Sequence, residues 1–173
     1  KRHGKKSVYD ELGKLQLIRF YNHGELIGYS YLDKNGTEIA MIPLERETGK
    51  IEAFFDNGKP SVIMEYKFRE VINTFKSYSY NGEIENESPY LNGNYHGVIK
   101  EYFLSGKLKE ETNYNHGEKH GKNIIYYENG NKKEELLFSN DLKHGMSYFY
   151  NKKGKLKMKK EYFNGKLYKV ESL

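Results

Sequence analysis

Apolar and polar residues alternate in short runs along most of this 173-residue chain, and glycine punctuates almost every run. Alternation at period two is the pattern of an extended strand, because successive side chains point to opposite faces. Around the middle of the chain the pattern predicts strands over about 98–103 and 107–114, then over 123–127 and 132–138. Asn-Gly pairs stand between such runs at Asn35-Gly36, Asn57-Gly58, Asn81-Gly82 and Asn129-Gly130. Asn-Gly is a strong hairpin signal, because both residues tolerate positive φ.

The turns keep a period. Gly97, Gly121 and Gly145 stand 24 residues apart, each after a histidine, and the series runs back through Asn73, Gly49, Gly28 and Gly4. Only the step from Gly28 to Gly49 departs from 24, by three residues. Two aromatic columns share the period: Tyr9, Phe54, Tyr78, Tyr102, Tyr126 and Tyr150, then Tyr21, Tyr66, Tyr90, Tyr114, Phe138 and Tyr162. A self-similar period of this length marks a repeat architecture, in which each unit buries itself against its neighbours. The expected fold is therefore all-β: an elongated, single-layer antiparallel sheet of about seven tandem hairpins. The units fall at about 4–27, 28–48, 49–72, 73–96, 97–120, 121–144 and 145–168, with 169–173 as a tail. The aromatic columns are expected to line one face and close a thin core.

Composition narrows this picture. Seventeen Tyr and nine Phe are too many for a disordered chain, although charged residues make up 31%. There is no Cys, which excludes disulfides, thiol catalysis and thiolate metal sites. No apolar run reaches the roughly 18 residues of a membrane-spanning helix. The chain opens at Lys1 already inside the repeat pattern, which leads to the expectation of a trimmed, exported product.

Charge is distributed unevenly. Residues 1–96 carry 13 basic and 14 acidic side chains, and residues 97–144 carry eight of each. Residues 145–173 carry eight lysines against Glu161 and Glu171, so the net charge of +5 is a feature of the last unit. Lys152, Lys153, Lys155, Lys157, Lys159 and Lys160, with Lys166 and Lys169, either protect a sheet edge or form a docking patch for an anionic lipid, nucleic acid or an acidic partner. The second and third units are the other departure. Ile39, Met41, Ile42, Leu44, Val62, Ile63 and Met64 are too apolar for a solvated face, so either they bury extra core or they expose a partner patch.

Catalytic chemistry finds little footing. His96, His120 and His144 repeat one per unit, roughly 9.5 Å apart along a sheet, too far to share a metal held at about 2.0–2.1 Å. His116 and His120 have zinc-finger spacing but no accompanying Cys or convergent acid. Glu110-Glu111 and Glu134-Glu135 are adjacent on strands and so face opposite ways. There is no Gly-x-Ser-x-Gly elbow, no cofactor-binding motif and no nucleic-acid-binding module.

The stretches His96-Gly97 … Tyr102-Phe103-Leu104-Ser105-Gly106-Lys107-Leu108 … Tyr114-Asn115-His116-Gly117 and His120-Gly121 … Tyr126-Tyr127-Glu128-Asn129-Gly130 … Phe138 resemble the bacterial MORN-repeat-variant family. Members are often labelled exported repeat proteins or putative antitoxins. The resemblance covers nearly the whole chain, is strongest from Pro89 onward and is weakest between Gly28 and Asn73. It implies a sheet of hairpins with a protein-interaction role and no catalytic residues. A toxin-sequestering role in the cytoplasm, or peripheral binding to anionic membrane lipid, are its alternatives. Phosphate transfer, known from kinases that carry MORN repeats, is not implied, because the glycine-rich loop and the His-Arg-Asp and Asp-Phe-Gly motifs are missing.

Overall fold

The computed structural model describes residues 2–45 and 48–173 and divides into two compact units, Lys1–Gly93 and Asn94–Leu173. Among the described residues every element is a strand and every pairing antiparallel. The N-terminal unit holds β1 (Gly4–Tyr9), β2 (Leu15–Asn22), β3 (Glu25–Ser30) and β4 (Ile42–Pro43), paired in that order as one sheet. It continues with β5 (Gly49–Phe54), β6 (Pro60–Lys67), β7 (Glu70–Tyr78) and β8 (Ile84–Leu91), neighbours in a second sheet. The C-terminal unit holds the short β9 (Asn94–Tyr95), then β10 (Gly97–Tyr102), β11 (Leu108–Asn115), β12 (Glu118–Tyr126) and β13 (Lys132–Ser139). It ends with β14 (Leu142–Lys143), β15 (Gly145–Tyr150), β16 (Leu156–Phe163) and β17 (Lys166–Ser172). From β10 to β17 its strands pair in chain order, with β14 set to the side on β13.

Two kinds of turn generate this order. The first is a five-residue connection seen seven times among the described residues, at 10–14, 33–37, 55–59, 79–83, 103–107, 127–131 and 151–155. In the fifth, Phe103 N–H donates to Lys107 C=O and Gly106 N–H donates to Phe103 C=O, both at 2.8 Å. Only the glycine has positive φ, +75° at Gly106, which is a turn closed by a glycine bulge. The preceding asparagines therefore do not act as the positive-φ partners that the Asn-Gly signal suggested. Two of them tie successive turns instead: Asn57 Nδ2 donates to Tyr80 C=O at 2.8 Å, and Asn129 Nδ2 to Lys152 C=O at 2.7 Å. The second kind is the tight two-residue turn with both central φ positive, as at His23-Gly24, Asn92-Gly93, His116-Gly117 and Asn164-Gly165. Phe68-Arg69 and Asn140-Asp141 make the same turn without glycine.

The landmark glycines are paired across the hairpin with the second aromatic column: Gly49 with Tyr66, Gly97 with Tyr114, Gly121 with Phe138 and Gly145 with Tyr162. A ring lying beside a strand glycine covers the backbone that the missing side chain leaves bare. No member of either aromatic column is buried, however. The core consists mainly of aliphatic and small residues, with Tyr29 and Phe55 from outside the two columns, and the column aromatics are half-buried or, at Tyr9 and Phe54, exposed, which corrects the expectation that they close it.

The N-terminal unit also departs from a single layer. Leu17, Leu26, Tyr29 and Leu44 pack with Ile51, Ala53, Val62 and Met64, so β2 lies over β5 and β6. Buried polar groups stitch the two sheets. Ser61 Oγ donates to Gln16 C=O at 2.6 Å, Gln16 Nε2 donates to Tyr78 C=O at 2.9 Å, and Tyr80 N–H donates to Asp10 Oδ2 at 3.1 Å. The irregular repeat accounts for the break between β4 and β5. Gly28 to Gly36 is one residue short, and Gly36 to Gly49 is two residues short of the spacing from Gly58 to Asn73. One missing residue thus falls before the first turn of that unit and two fall after it, and Pro43 withholds an N–H from the ladder. Gly28 is needed here for space rather than for φ: a Cβ would stand 2.7 Å from Ile42 C=O.

Candidate interaction surface

In the C-terminal unit the face of the sheet can be read from the second strand of each hairpin. Tyr114, Thr112 and Glu110 alternate along β11, and Phe138, Leu136 and Glu134 along β13. Tyr162, Lys160 and Met158 do the same along β16, so all nine side chains share one face. Register joins them into rows. Ile99 pairs with Thr112, Thr112 with Asn123, and Asn123 with Leu136; Ser147 follows and pairs with Lys160. Ile99, Thr112, Asn123, Leu136 and Ser147 are all buried, although no second sheet covers them within this unit. They are small or aliphatic and form the floor between two taller rows, Tyr114, Phe138 and Tyr162 on one side, Glu110, Ile125, Glu134, Phe149 and Met158 on the other. The floor's polar groups are partly satisfied within it: Asn123 Nδ2 donates to Thr112 Oγ1 and to Glu110 Oε1, both at 2.6 Å.

The opposite face is charged. Glu135 takes Lys132 at 2.8 Å and Lys122 at 3.5 Å, and these cations hold its carboxyl below the usual range. Glu111 accepts from the Tyr126 hydroxyl at 2.6 Å. Burial, together with this hydrogen bond, pushes the Tyr126 phenol far above its ordinary value. The acid pairs thus part to opposite faces: Glu110 stands in the rim row beside the floor, while Glu111 meets Tyr126 on the other face.

The histidines have separate partners. His96 and His116 meet edge to face at 5.1 Å between ring centroids, and His120 Nδ1 lies 3.2 Å from Asn140 Oδ1. Among the described residues no three of His, Asp and Glu gather as a metal site would require.

The apolar residues singled out in the second and third units divide. Leu44, Val62 and Met64 are buried in the N-terminal core, and Ile42 packs against it, so these do not form a surface patch. Ile39 and Ile63 are half-buried, and Met41 is 40% exposed. The lysines of the last unit do not converge either. Lys152, Lys153 and Lys155 occupy the 151–155 turn, Lys157 and Lys159 share one face of β16, and Lys160 lies on the other, 4.9 Å over the Phe149 ring. Beside them stands an exposed apolar group that sequence reasoning passed over: Phe163 (63% exposed), Leu167 and Tyr168 (79% exposed). Extending the 24-residue columns past Gly145 would have found it, since Tyr168 occupies the histidine position of the repeat.

The family described as MORN repeat variant matches residues 2–27, 95–116 and 119–140. Over these three segments the chain carries MORN repeats of the variant type. The matched segments begin on the stretches where Gly4, Gly97 and Gly121 keep the regular spacing, and no curated protein matches the chain. MORN repeats are generally protein- or membrane-interaction repeats and are a non-catalytic repeat type. The unmatched residues between the first and second segments contain the shortened repeat and most of the two-layer core.

Proposed function

We propose that this MORN-repeat chain is a non-enzymatic protein-interaction array, exported or surface-associated, that binds a protein partner along the walled face of its C-terminal unit. The observation that supports this is the row of buried small and aliphatic residues between an aromatic row and a row of mixed acids and apolar side chains. Such a trough offers stacking, apolar and hydrogen-bonding contact in one strip, the composition that specific interfaces favour. A photo-crosslinker placed at Glu134, on the rim of the trough, is expected to capture a discrete partner from the native host. The same group at Lys122, on the opposite face, is expected to capture little. Equal labelling from both positions, or none from either, counts against the reading.

A second reading is favoured by the eight lysines of residues 145–173: docking on anionic lipid, as membrane-associated repeats do. Sedimentation with phosphatidylserine vesicles at low and high salt tests it, and indifference to anionic lipid removes it. A third, sequestration of a cytoplasmic toxin, is supported by the antitoxin label that resembling proteins carry. Cell fractionation separates it from the leading reading, because an exported protein cannot neutralise a cytoplasmic toxin.

A further inference from the structure

We propose that Asn81 is a site of spontaneous covalent modification, in which the Gly82 nitrogen attacks its side-chain amide with help from Lys59 and leaves aspartate or isoaspartate. An Asn-Gly pair is open to this chemistry because glycine has no side chain to shield its nitrogen. The Gly82 nitrogen bonds to Asn81 Cγ, the Cγ–Nδ2 bond breaks, and Nδ2 departs as ammonia carrying the Gly82 proton. Water then opens the cyclic imide at either carbonyl, so that an amide and water become a carboxylate and ammonium. The isoaspartate product places an extra methylene carbon in the main chain of the turn between β7 and β8.

The repeat supplies its own controls, because Asn35, Asn57, Asn81 and Asn129 hold the same place in five-residue turns and are all exposed. In each of these turns the glycine N–H donates to the C=O of the first turn residue, so that bond does not set them apart. The hold on the asparagine amide does. Asn57 Oδ1 accepts from Lys59 N–H at 2.9 Å while its Nδ2 donates to Tyr80 C=O at 2.8 Å. Asn129 Oδ1 accepts from Asn131 N–H at 3.1 Å while its Nδ2 donates to Lys152 C=O at 2.7 Å. Held at both ends, these amides must break two hydrogen bonds before Cγ can turn onto the glycine nitrogen. Among the described residues the amides of Asn35 and Asn81 have no such bond. Lys59 separates these two. Its Nζ donates to Asn81 C=O at 2.7 Å, and its stem lies across Gly82, where a Cβ would stand 2.9 Å from Cδ. At Gly36 nothing stands within 4 Å of that position. The carbonyl that Lys59 engages belongs to the peptide unit whose nitrogen attacks, and a cation there stabilises the anion formed as that nitrogen loses its proton. Asn92-Gly93 and Asn164-Gly165 belong to the tight turns, where the asparagine itself has positive φ.

The test incubates the 173-residue chain at mildly alkaline pH, folded and in urea, and maps its peptides by mass spectrometry with fragmentation that separates isoaspartate from aspartate. In the folded chain Asn81 is expected to convert at least about tenfold faster than Asn57 or Asn129, the factor that two side-chain hydrogen bonds supply. In urea the three rates are expected to converge. Lys59→Met keeps the stem over Gly82 without the charge and is expected to slow Asn81 about fivefold, with Asn35 unchanged. Lys59→Arg restores a cation and is expected to keep Asn81 fast. Circular dichroism of both variants should match the parent chain, since Lys59 is exposed. An unreactive Asn81, or Asn57 and Asn129 converting as fast in the folded chain, overturns the proposal. So does an order that persists in urea, because that assigns the difference to neighbouring sequence. Equal Asn81 rates in Lys59→Met and the parent chain overturn the part given to Lys59.

Discussion

Val62 and Met64 in β6 occupy the same repeat positions as Glu110 and Thr112 in β11, 48 residues later. Ile51 and Ala53 likewise correspond to Ile99 and Glu101. The hairpin is the same in both places; what differs is whether another sheet lies on its inner face. In the N-terminal unit β2 covers it, so a carboxylate there would lose its water without a partner, and aliphatic residues stand instead. In the C-terminal unit the face stays wet at its rims, and only the central row is buried, much of it Thr, Asn and Ser. A repeat array therefore changes its inner-face composition according to how many layers it has, while the turn columns stay constant.

The sharpest way to break the comparison is to empty the covered core. Leu17→Ala removes a fully buried side chain from between the two sheets and is expected to cost about 2–5 kcal/mol in urea unfolding. Leu136→Ala, in the single layer, is expected to cost about half as much or less, because its neighbours can relax into solvent. Equal losses would mean that the second layer adds nothing. Gly28→Ala comes next: its Cβ would press on Ile42 C=O and the Met41 side chain. A loss of about 1–3 kcal/mol is expected, confined to the N-terminal unit when hydrogen exchange is read residue by residue.

Asn129→Ala tests the ties between turns that the C-terminal unit relies on. Removing its bond to Lys152 C=O should cost about 0.5–1.5 kcal/mol, seen as faster exchange in the turns at 127–131 and 151–155.

The smallest effect is electrostatic. Burial between the sheets raises the Glu85 carboxyl above its ordinary value, against an opposing hydrogen bond from backbone near Glu11. A carboxyl that holds its proton more tightly when folded than when unfolded adds stability at acid pH, and that increment is lost as pH rises from 4.5 through the folded value. Glu85→Gln is expected to flatten this fall and leave the variant slightly more stable at neutral pH. A steeper fall in the variant would reverse the assignment. Glu135 behaves oppositely: its lysines lower it, so its contribution is present above its unfolded value and fades as pH drops through the folded one.

Much of the local structure was legible in the chain. The 24-residue period located the hairpins, and the strands read over 107–114 and 132–138 fall within one residue of β11 and β13. The Asn-Gly signal found the right turns but the wrong geometry, because asparagine serves equally as a positive-φ residue and as a side-chain donor to a neighbouring turn. For Leu44, Val62 and Met64 the sequence left two readings open, extra core or a partner patch, because an apolar side chain reads the same whether it meets a partner protein or another part of its own chain; the structure places these three in the core.

The sequence by itself determined the period, the strands, the turn positions and the lysine-rich last unit, since each depends only on residues close together in the chain. Only the tertiary structure decided where the sheet stops being a single layer and which buried side chains form a trough. Those are matters of which surfaces meet. Strand alternation fixes the face on which a side chain lies, but what covers that face is set by residues tens of positions away.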